Sequence, residues 1–381
     1  MHEQRGTSHD EIDELERGRT TRSQRQKRET ELKPRPIRIE DYRAGSRTDL
    51  RIPIYQNALG SPMDLPFVVI RGRHPGPVLG ICAAIHGDEL NGIKIIHHVL
   101  DKVDPDAMHG SLLCAPIANV PAFESQQRRF PDGIDLNHAF PGKAEGKPSE
   151  QYARAFLVTF LTPCDYLVDI HTASEGRINS MYVRADLRDP TARKMAHLMN
   201  PQIILHVTGG DGSLRHAAKV RGIPAITVEA GNPSVFQGAM AYEGEQGVMN
   251  LLYELEILNG QPTSGRAPVV CKSSKWLRTR VGGLLETAFS LTDRIQRKQL
   301  LAQIRDPFGH VIQEYQAPHD GIVIGMAESP VAVPGTRYVH LGVIGDPPPQ
   351  RATSTEAAAL PDATPTVTSS EVDAGAPSNT E

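Results

Sequence analysis

Short apolar runs that alternate with segments of helical spacing constrain the fold of this chain more than any other feature. Strand-like runs lie at residues 65–71, 78–85, 111–117, 166–170, 203–207 and 225–228, and helical spacing at residues 89–103, 149–161, 191–199, 214–220 and 243–259. Strands that alternate with helices favour a mostly parallel sheet that helices cover on both faces. We therefore predict an α/β fold for this part of the chain.

Changes in composition along the chain predict how it is divided. Residues 1–34 are dominated by charged and polar side chains, and residues 347–381 by Pro, Ala, Thr, Ser and Glu, so both tails are predicted to be disordered. Residues 35–261 contain the alternating pattern and form the predicted α/β domain. Residues 262–346 hold short strand-like runs separated by Gly and Pro, which predicts a small C-terminal all-β domain.

The overall composition argues against two classes of partner. The 381 residues carry a formal net charge of −4, which gives no reason to expect binding to nucleic acid or to a membrane surface. No apolar run reaches the roughly 18 residues of a membrane span. The four cysteines are scattered without metal-binding or redox spacing, which favours reduced, buried thiols in a cytoplasmic protein. A homo-oligomer is compatible with these features.

Three short motifs place histidines and carboxylates at or just past the ends of predicted strands. His86 and Glu89 belong to the motif His-Gly-Asp-Glu, while His171 and Glu229 each follow another apolar run. In α/β sheets, sites form at the carboxyl ends of the strands, so we expect these side chains to lie close together. Two imidazoles and one carboxylate make a zinc site with an open fourth position. The sequence therefore predicts one Zn²⁺ per chain, held by His86, Glu89 and His171.

Each motif also has a purely structural interpretation. A His-x-x-Glu pair is common and can be a surface histidine beside a glutamate that favours a helix start. His171 could be a core histidine, with Asp169 either orienting it as a ligand or anchoring a neighbouring loop. Glu229 is harder to explain, because a carboxylate at the end of a buried strand is costly unless it is paired or used. As a general base it would take a proton from the attacking water and pass it to the leaving amine.

A fourth motif, at residues 128–137, offers contacts to a substrate. An arginine beside the metal could polarise the carbonyl that is cleaved and stabilise its oxyanion. Asn137 could hold a carboxylate or an amide of the substrate. The competing interpretation is a surface turn with two solvated arginines, because Pro131-Asp132-Gly133 is typical of a turn.

Taken in order, the four motifs resemble the succinylglutamate desuccinylase/aspartoacylase family, a branch of the zinc carboxypeptidase superfamily. The resemblance covers roughly residues 48–345. It implies a zinc carboxypeptidase-like α/β fold whose mixed, mostly parallel sheet is flanked by helices. It also implies hydrolysis of an amide bond, usually with release of an acyl group from an amino acid, so the expected partner is a small N-acyl substrate.

The resemblance also assigns roles to individual residues. His86, Glu89 and His171 match the zinc ligands of the family. Glu229 matches its general base, and Arg129 matches the arginine that polarises the carbonyl. These two are the predicted catalytic residues.

One position departs from the family pattern. Asn137 matches the first half of an Asn-Arg pair that grips a substrate carboxylate, but residue 138 is His, which cannot form the bidentate fork of an arginine. Asn137 and His138 are the predicted substrate-binding residues. Arg177, Arg184 and Arg215 are candidates for replacing the missing arginine.

The sequence thus predicts a cytoplasmic, zinc-dependent amidohydrolase that deacylates an N-acyl amino acid or a related small molecule. One alternative is a carboxypeptidase-like enzyme that trims peptide or poly-amino-acid tails, which shares the metal chemistry and differs in its substrate pocket. Another is a zinc-binding regulator that has kept the fold and lost turnover. His138 and the long tails motivate this second alternative, and the complete set of predicted site residues argues against it.

Overall fold

Strands and helices alternate in the computed structural model much as the apolar pattern predicts. The structure describes residues 33–210, 212–265 and 267–347, so the predicted disorder of the two tails lies almost entirely outside the described residues. The strands are β1 (Ser46–Gln56), β2 (Pro62–Arg71), β3 (His74–Ala83), β4 (His109–Ala115), β5 (Tyr166–His171), β6 (Arg177–Asn179), β7 (Tyr182–Ala185), β8 (Ile203–His206), β9 (Ala225–Glu229), β10 (Val269–Arg278), β11 (Gly283–Thr287), β12 (Arg294–Ile295), β13 (Leu300–Arg305), β14 (Val311–Gln316), β15 (Gly321–Ala327), β16 (Val331–Ala332) and β17 (Arg337–Ile344). The helices are α1 (Asn91–Lys102), α2 (Val120–Glu124), α3 (Pro148–Phe156), α4 (Pro190–Leu198), α5 (Leu214–Val220) and α6 (Gly238–Glu254), and a π-helical turn at Leu157–Leu161 extends α3.

A mixed sheet of 13 strands runs in the order β1-β2-β4-β3-β5-β9-β7-β8-β10-β17-β15-β12, with β6 paired to β15. β4, β3, β5 and β9 are parallel neighbours, and they include the three strands that precede the motifs. Antiparallel pairs at both ends of the sheet, and between β7 and β9, outnumber the parallel ones. The α/β class is therefore correct, but the prediction of a mostly parallel sheet is not confirmed. Local apolar patterns identify strands without revealing their direction.

Helices cover both faces of the central strands. On one face Ile96 of α1 and Leu251 of α6 are fully buried in one apolar cluster. On the other face Phe67 of β2, Phe156 of α3 and Leu214 of α5 belong to a second cluster. A sheet buried on both faces explains why its central strands read as nearly continuous apolar runs. It also leaves the carboxyl ends of these strands free to carry polar side chains.

The predicted C-terminal β structure is present, but its strands divide between two sheets. β10, β12, β15 and β17 extend the large sheet, whereas β11, β13, β14 and β16 form a separate four-stranded antiparallel sheet. Leu301, Val323 and Val339 belong to the apolar cluster between them. β6 lies far earlier in the chain yet pairs with β15, so it links the loop after His171 to this C-terminal region. A domain boundary at residue 262 stays a prediction.

None of the described helices is both long and apolar enough to cross a bilayer.

Candidate metal centre and active site

The turn between β3 and α1 carries the His-Gly-Asp-Glu motif. α1 begins at Asn91, so His86 and Glu89 lie in the turn before the helix rather than in its first turn. The backbone N–H of Glu89 donates to the carbonyl oxygen of His86 at 3.1 Å and closes this turn. A side chain at Gly87 would collide with the backbone of Ala122 in α2. The glycine therefore lets the turn press against α2, which fixes the positions of both polar residues.

His86, Glu89 and His171 bring three ligand groups together. The Nδ1 atoms of the two histidines are 3.2 Å apart, and the Glu89 carboxylate lies 2.8 Å from one and 2.9 Å from the other. All three residues are buried, and their ligand atoms lie within 4.8 Å of one another. No other set of three His, Cys, Asp or Glu residues in the described part of the chain has this geometry. Two imidazoles and a carboxylate are a donor set that Zn²⁺ favours, so these residues fit the metal.

The second ring nitrogen of each histidine faces another carboxylate. His86 Nε2 lies 2.9 Å from Asp135 Oδ1, and His171 Nε2 lies 3.0 Å from Asp169 Oδ2. The second pair is a close contact rather than a well-aligned hydrogen bond. Carboxylates in such positions fix ring orientation and leave Nδ1 to face a metal. The sequence suggests this role for Asp169, whereas Asp135 has no sequence signal beyond its place in the fourth motif.

The charges of the centre favour an ionised Glu89. Burial by itself would raise the pKa of this carboxyl, but the charge of His86 and hydrogen bonds from His171 and His86 outweigh it. The pKa of Glu89 is therefore held well below its usual range. A carboxylate that ligates a metal must be deprotonated, so this environment suits the predicted role.

β9 places Glu229 beside His171. The two residues are paired across the parallel strands β5 and β9, and antiparallel β7 pairs Tyr182 with Glu229 from the other side. Burial raises the pKa of the Glu229 carboxyl, and Arg184, whose Nη1 lies 3.5 Å from Oε1, opposes the shift. A carboxyl group with a raised pKa suits a residue that accepts a proton and passes it on.

The structure brings Arg128, and not Arg129, to this centre. Arg128 donates to Glu89 Oε1 at 2.7 Å and to Asp135 Oδ2 at 2.9 Å. Arg129 is exposed, and its Nη1 donates to the carbonyl oxygen of Gly133 at 2.8 Å. The two adjacent side chains diverge, so a motif that contains both arginines cannot say which one faces the metal ligands. The structure thus places Arg128 at the site and Arg129 outside the cavity, and a catalytic role for either arginine stays a proposal.

A cavity of about 190 Å³ opens beside the candidate metal ligands, and Asn137 and His138 both line it. The side-chain oxygen of Asn137 accepts a hydrogen bond of 3.1 Å from the backbone N–H of Leu214 at the start of α5. His138 lies at the exposed rim of the cavity. Their role in binding substrate stays a prediction.

Arginines dominate the charge of the cavity. The lining arginines are Arg128, Arg177, Arg184, Arg215 and Arg337, and the lining carboxylates are Glu89 and Glu229. All three candidates for replacing the arginine that position 138 lacks are therefore at the site. Arg337 of β17 and Trp276 of β10 also line the cavity, although the sequence links neither to the motifs. Their positions depend on long-range strand pairing, which local patterns do not reveal. The excess of positive charge suits an anionic ligand.

Comparison with known proteins supports the family resemblance of the chain. Residues 75–255 match the family model described as Succinylglutamate desuccinylase/Aspartoacylase catalytic domain. The N-alpha-acetyl-L-2,4-diaminobutyric acid deacetylase of Halomonas elongata is 23% identical over 290 residues, which cover 72% of this chain and 84% of that protein.

Solved structures share the fold. The product-bound ectoine utilization protein of Ruegeria pomeroyi matches with a TM-score of 0.72 and 22% identity, over 81% of this chain and 97% of that one. A succinylglutamate desuccinylase/aspartoacylase of Rhodobacter sphaeroides matches with a TM-score of 0.70 and 22% identity, over 81% of this chain and 98% of that one. At this level of identity, the likeness establishes the mixed α/β fold alone.

Proposed function

Because residues 75–255 match the catalytic-domain model of the succinylglutamate desuccinylase/aspartoacylase family, we propose that this chain is a zinc-dependent amidohydrolase. Its substrate is an N-acyl amino acid or a related small molecule, which it deacylates. One observation carries the proposal. The ligand atoms of His86, Glu89 and His171 converge beside the buried carboxyl of Glu229, in a cavity rich in arginine. The name of the Halomonas elongata relative, a deacetylase of an acetylated amino acid, supports the same reaction class.

The metal would be held by His86, Glu89 and His171, with Asp135 and Asp169 fixing the two imidazole rings. When bound, Zn²⁺ would supply Lewis-acid activation of water and of the substrate carbonyl. The carboxylates beside the imidazoles keep the rings in one orientation, so the centre is preorganised.

Glu229 moves the protons of the reaction. Its carboxylate accepts a proton from the attacking water and returns it to the nitrogen of the departing amine. Burial favours the protonated form of this carboxyl, while Arg184 favours the ionised form, so the two states lie closer in free energy than for an exposed glutamate.

Arg128 stabilises the negative charge that develops on the carbonyl oxygen. Its guanidinium is held next to the metal ligands by Glu89 and Asp135, so it needs little rearrangement to act. A preorganised cation at this position lowers the barrier because its field is already in place when the charge forms.

The nature of a relative favours a small substrate over a peptide tail. The Halomonas elongata relative is named as a deacetylase of an acetylated amino acid. This likeness supports deacylation rather than trimming of peptides. Asn137 and His138 are proposed to contact the substrate at the rim.

Activity profiling tests the proposal directly. The purified chain is incubated with a panel of N-acyl amino acids and, separately, with short acidic peptides. Each incubation is run without a chelator, with a chelator, and after Zn²⁺ is added back to the chelated protein. We expect hydrolysis of N-acyl amino acids that the chelator abolishes and zinc restores. Turnover of the peptides alone would support carboxypeptidase-like trimming. Stoichiometric zinc with no turnover of either class would support a regulator.

A further inference from the structure

Two arginines of the cavity wall have no anionic partner in the described part of the chain. The Arg177 guanidinium makes no hydrogen bond or ion pair there, and it lies over the ring of Trp276, whose centroid is 5.5 Å from Cζ. Arg337, which lies on β17 and is exposed, likewise has no carboxylate partner among the described residues. Burial lowers the pKa of Arg177, the like charges of Arg337 and Arg128 lower it further, and the charges of Glu89 and Glu229 oppose the shift. Neither Arg177 nor Arg337 forms an ion pair with a described carboxylate, so a net positive charge remains at this wall.

The other arginines of the cavity are already engaged. Arg128 bonds to Glu89 and Asp135, and Arg184 lies beside Glu229. Arg215 is buried and donates to the carbonyl oxygen of residue 207 at 3.2 Å, so part of its hydrogen-bonding capacity is used within the protein. Of the three arginines that could replace the one missing at position 138, Arg177 is the one that lines the cavity without a side-chain hydrogen bond or ion pair among the described residues.

A stack of rings positions Arg177. Trp276 lies parallel to His340, with ring centroids 4.9 Å apart and planes at 10°, and Tyr182 packs edge-on against His340 at 6.2 Å. His340 Nε2 lies 2.7 Å from Ser274 Oγ, so the ring behind Trp276 is itself held in place. A cation above an aromatic face is held by the face, which leaves the in-plane N–H groups of the guanidinium available to a ligand.

We propose that Arg177, positioned by Trp276, and Arg337 form an anion subsite that binds a free carboxylate of the substrate. This subsite supplies the bidentate guanidinium contact to the carboxylate that His138 cannot make. The inference rests on the proposed function and narrows it to N-acyl amino acids that keep a free carboxylate, in preference to their neutral amides. Arg177 and Arg337 are specificity-determining residues of this subsite, and Trp276 is a positioning residue.

The single tryptophan of the chain provides a binding signal, because Trp276 lies against the proposed subsite. The probes are N-acetyl-L-alanine and N-acetyl-L-alaninamide, which differ by one charged group. Binding is measured by fluorescence in zinc-loaded protein that carries Glu229→Gln, so that the probe is not consumed. We expect the carboxylate to bind about 10- to 100-fold more tightly than the amide, as befits a charge-assisted pair. Adding Arg177→Gln should reduce this preference to about threefold or less.

Matched variants separate the subsite from general damage. Arg337→Gln alters an exposed residue, so folding is retained, and it should lower the carboxylate preference by about three- to tenfold. Arg294 is an exposed arginine of β12 that does not line the cavity, so Arg294→Gln should leave the carboxylate preference unchanged. Binding to the Trp276 variants is measured by calorimetry, because these variants lack the fluorescent residue. Trp276→Phe keeps an aromatic face and should keep the carboxylate preference, whereas Trp276→Leu removes the face and should lose the preference. A carboxylate preference that survives Arg177→Gln would overturn the proposal.

The binding measurement does not require turnover, so two kinds of failure are distinguishable. Failure to hydrolyse any N-acyl amino acid, with the carboxylate preference intact, would overturn the proposed function and support the subsite. Hydrolysis with an unchanged preference in the Arg177→Gln protein would overturn the subsite and leave the function standing.

Discussion

His171 and Glu229 occupy paired positions on the neighbouring parallel strands β5 and β9. The backbone N–H of Ala230 donates to the carbonyl oxygen of His171 at 2.8 Å, so the pairing continues past the end of β9. The sheet therefore fixes the spacing between a candidate metal ligand and the carboxyl proposed to move protons. Neither side chain depends on a flexible loop for its position.

Replacing Glu229 by Gln should lower kcat by about 10²- to 10⁴-fold, because the amide keeps the shape of the side chain and cannot accept the proton. Steady-state kinetics and metal analysis check this prediction. KM and zinc content should stay near those of the unmodified chain, since Glu229 is not a predicted ligand. A loss of less than tenfold would remove Glu229 from proton transfer.

The adjacent arginines offer a matched pair of variants. Arg128→Met should lower kcat by about 10²- to 10³-fold, because it removes the cation closest to the metal ligands. Arg129→Met should change kcat by about twofold or less, since its side chain is exposed and bonds to Gly133. Equal effects of the two substitutions, measured on the same substrate, would contradict the assignment to Arg128.

The carboxylates behind the histidines should affect metal affinity rather than the fold as a whole. Asp135→Asn and Asp169→Asn should each weaken zinc binding by about 10- to 100-fold. Competition with a chromophoric chelator measures the effect. Asp132→Asn is the control, because Asp132 belongs to the same motif as Asp135 but does not contact a histidine of the centre. Its Oδ2 accepts a hydrogen bond of 2.9 Å from the backbone N–H of Ser149. Unchanged zinc affinity in both test variants would rule out the proposal that these carboxylates orient the histidine rings.

His340 should make the stability of the chain depend on pH. Burial lowers the pKa of His340 to about 3, and the charges of Arg184, Arg177 and Arg337 add to the shift. An unfolded histidine titrates at about 6.5. Between these two values the unfolded chain binds more protons, so the free energy of unfolding falls as the pH is lowered from about 6.5 towards 3.

The variant His340→Phe removes the titrating group and keeps an aromatic ring beneath Trp276. Its Tm should therefore fall less than that of the unmodified chain between pH 7 and pH 4.5. Thermal unfolding of both proteins without metal measures the difference, since loss of zinc then contributes to neither. Parallel curves of Tm against pH would mean that the protonation of His340 does not change on unfolding in this pH range.

Position 138 offers a gain-of-function test. His138→Arg would place a second guanidinium fork at the rim of the cavity. We expect kcat/KM to rise about three- to tenfold for substrates with a free carboxylate near the scissile bond, and to stay level for the neutral amides. No change across the carboxylate series would remove residue 138 from specificity.

The sequence predicts the central strands and most helices because burial on both faces leaves a strong local pattern. Helix α5 occupies the predicted residues 214–220. The short strands β6 and β7 are missed, since they span only 3 and 4 residues and carry Arg177 and Arg184. Such polar positions break the apolar runs because they face the cavity.

The sequence also predicts the site unevenly. The ends of parallel strands are neighbours by geometry, so His171 and Glu229 could be placed together before their contacts were known. Trp276 and Arg337 could not, because they reach the cavity through the pairing of β10 with β8 and β17. Local spacing contains no information about which distant strands meet.

The large sheet does not stop where the match to the family model ends, at residue 255. Two of the three residues of the proposed subsite therefore come from beyond that match, because Trp276 and Arg337 are supplied by β10 and β17, whereas Arg177 lies on β6. If the proposed function holds, a substitution in either late strand would alter the choice of acylated compound while every group proposed to cleave the bond stays in place.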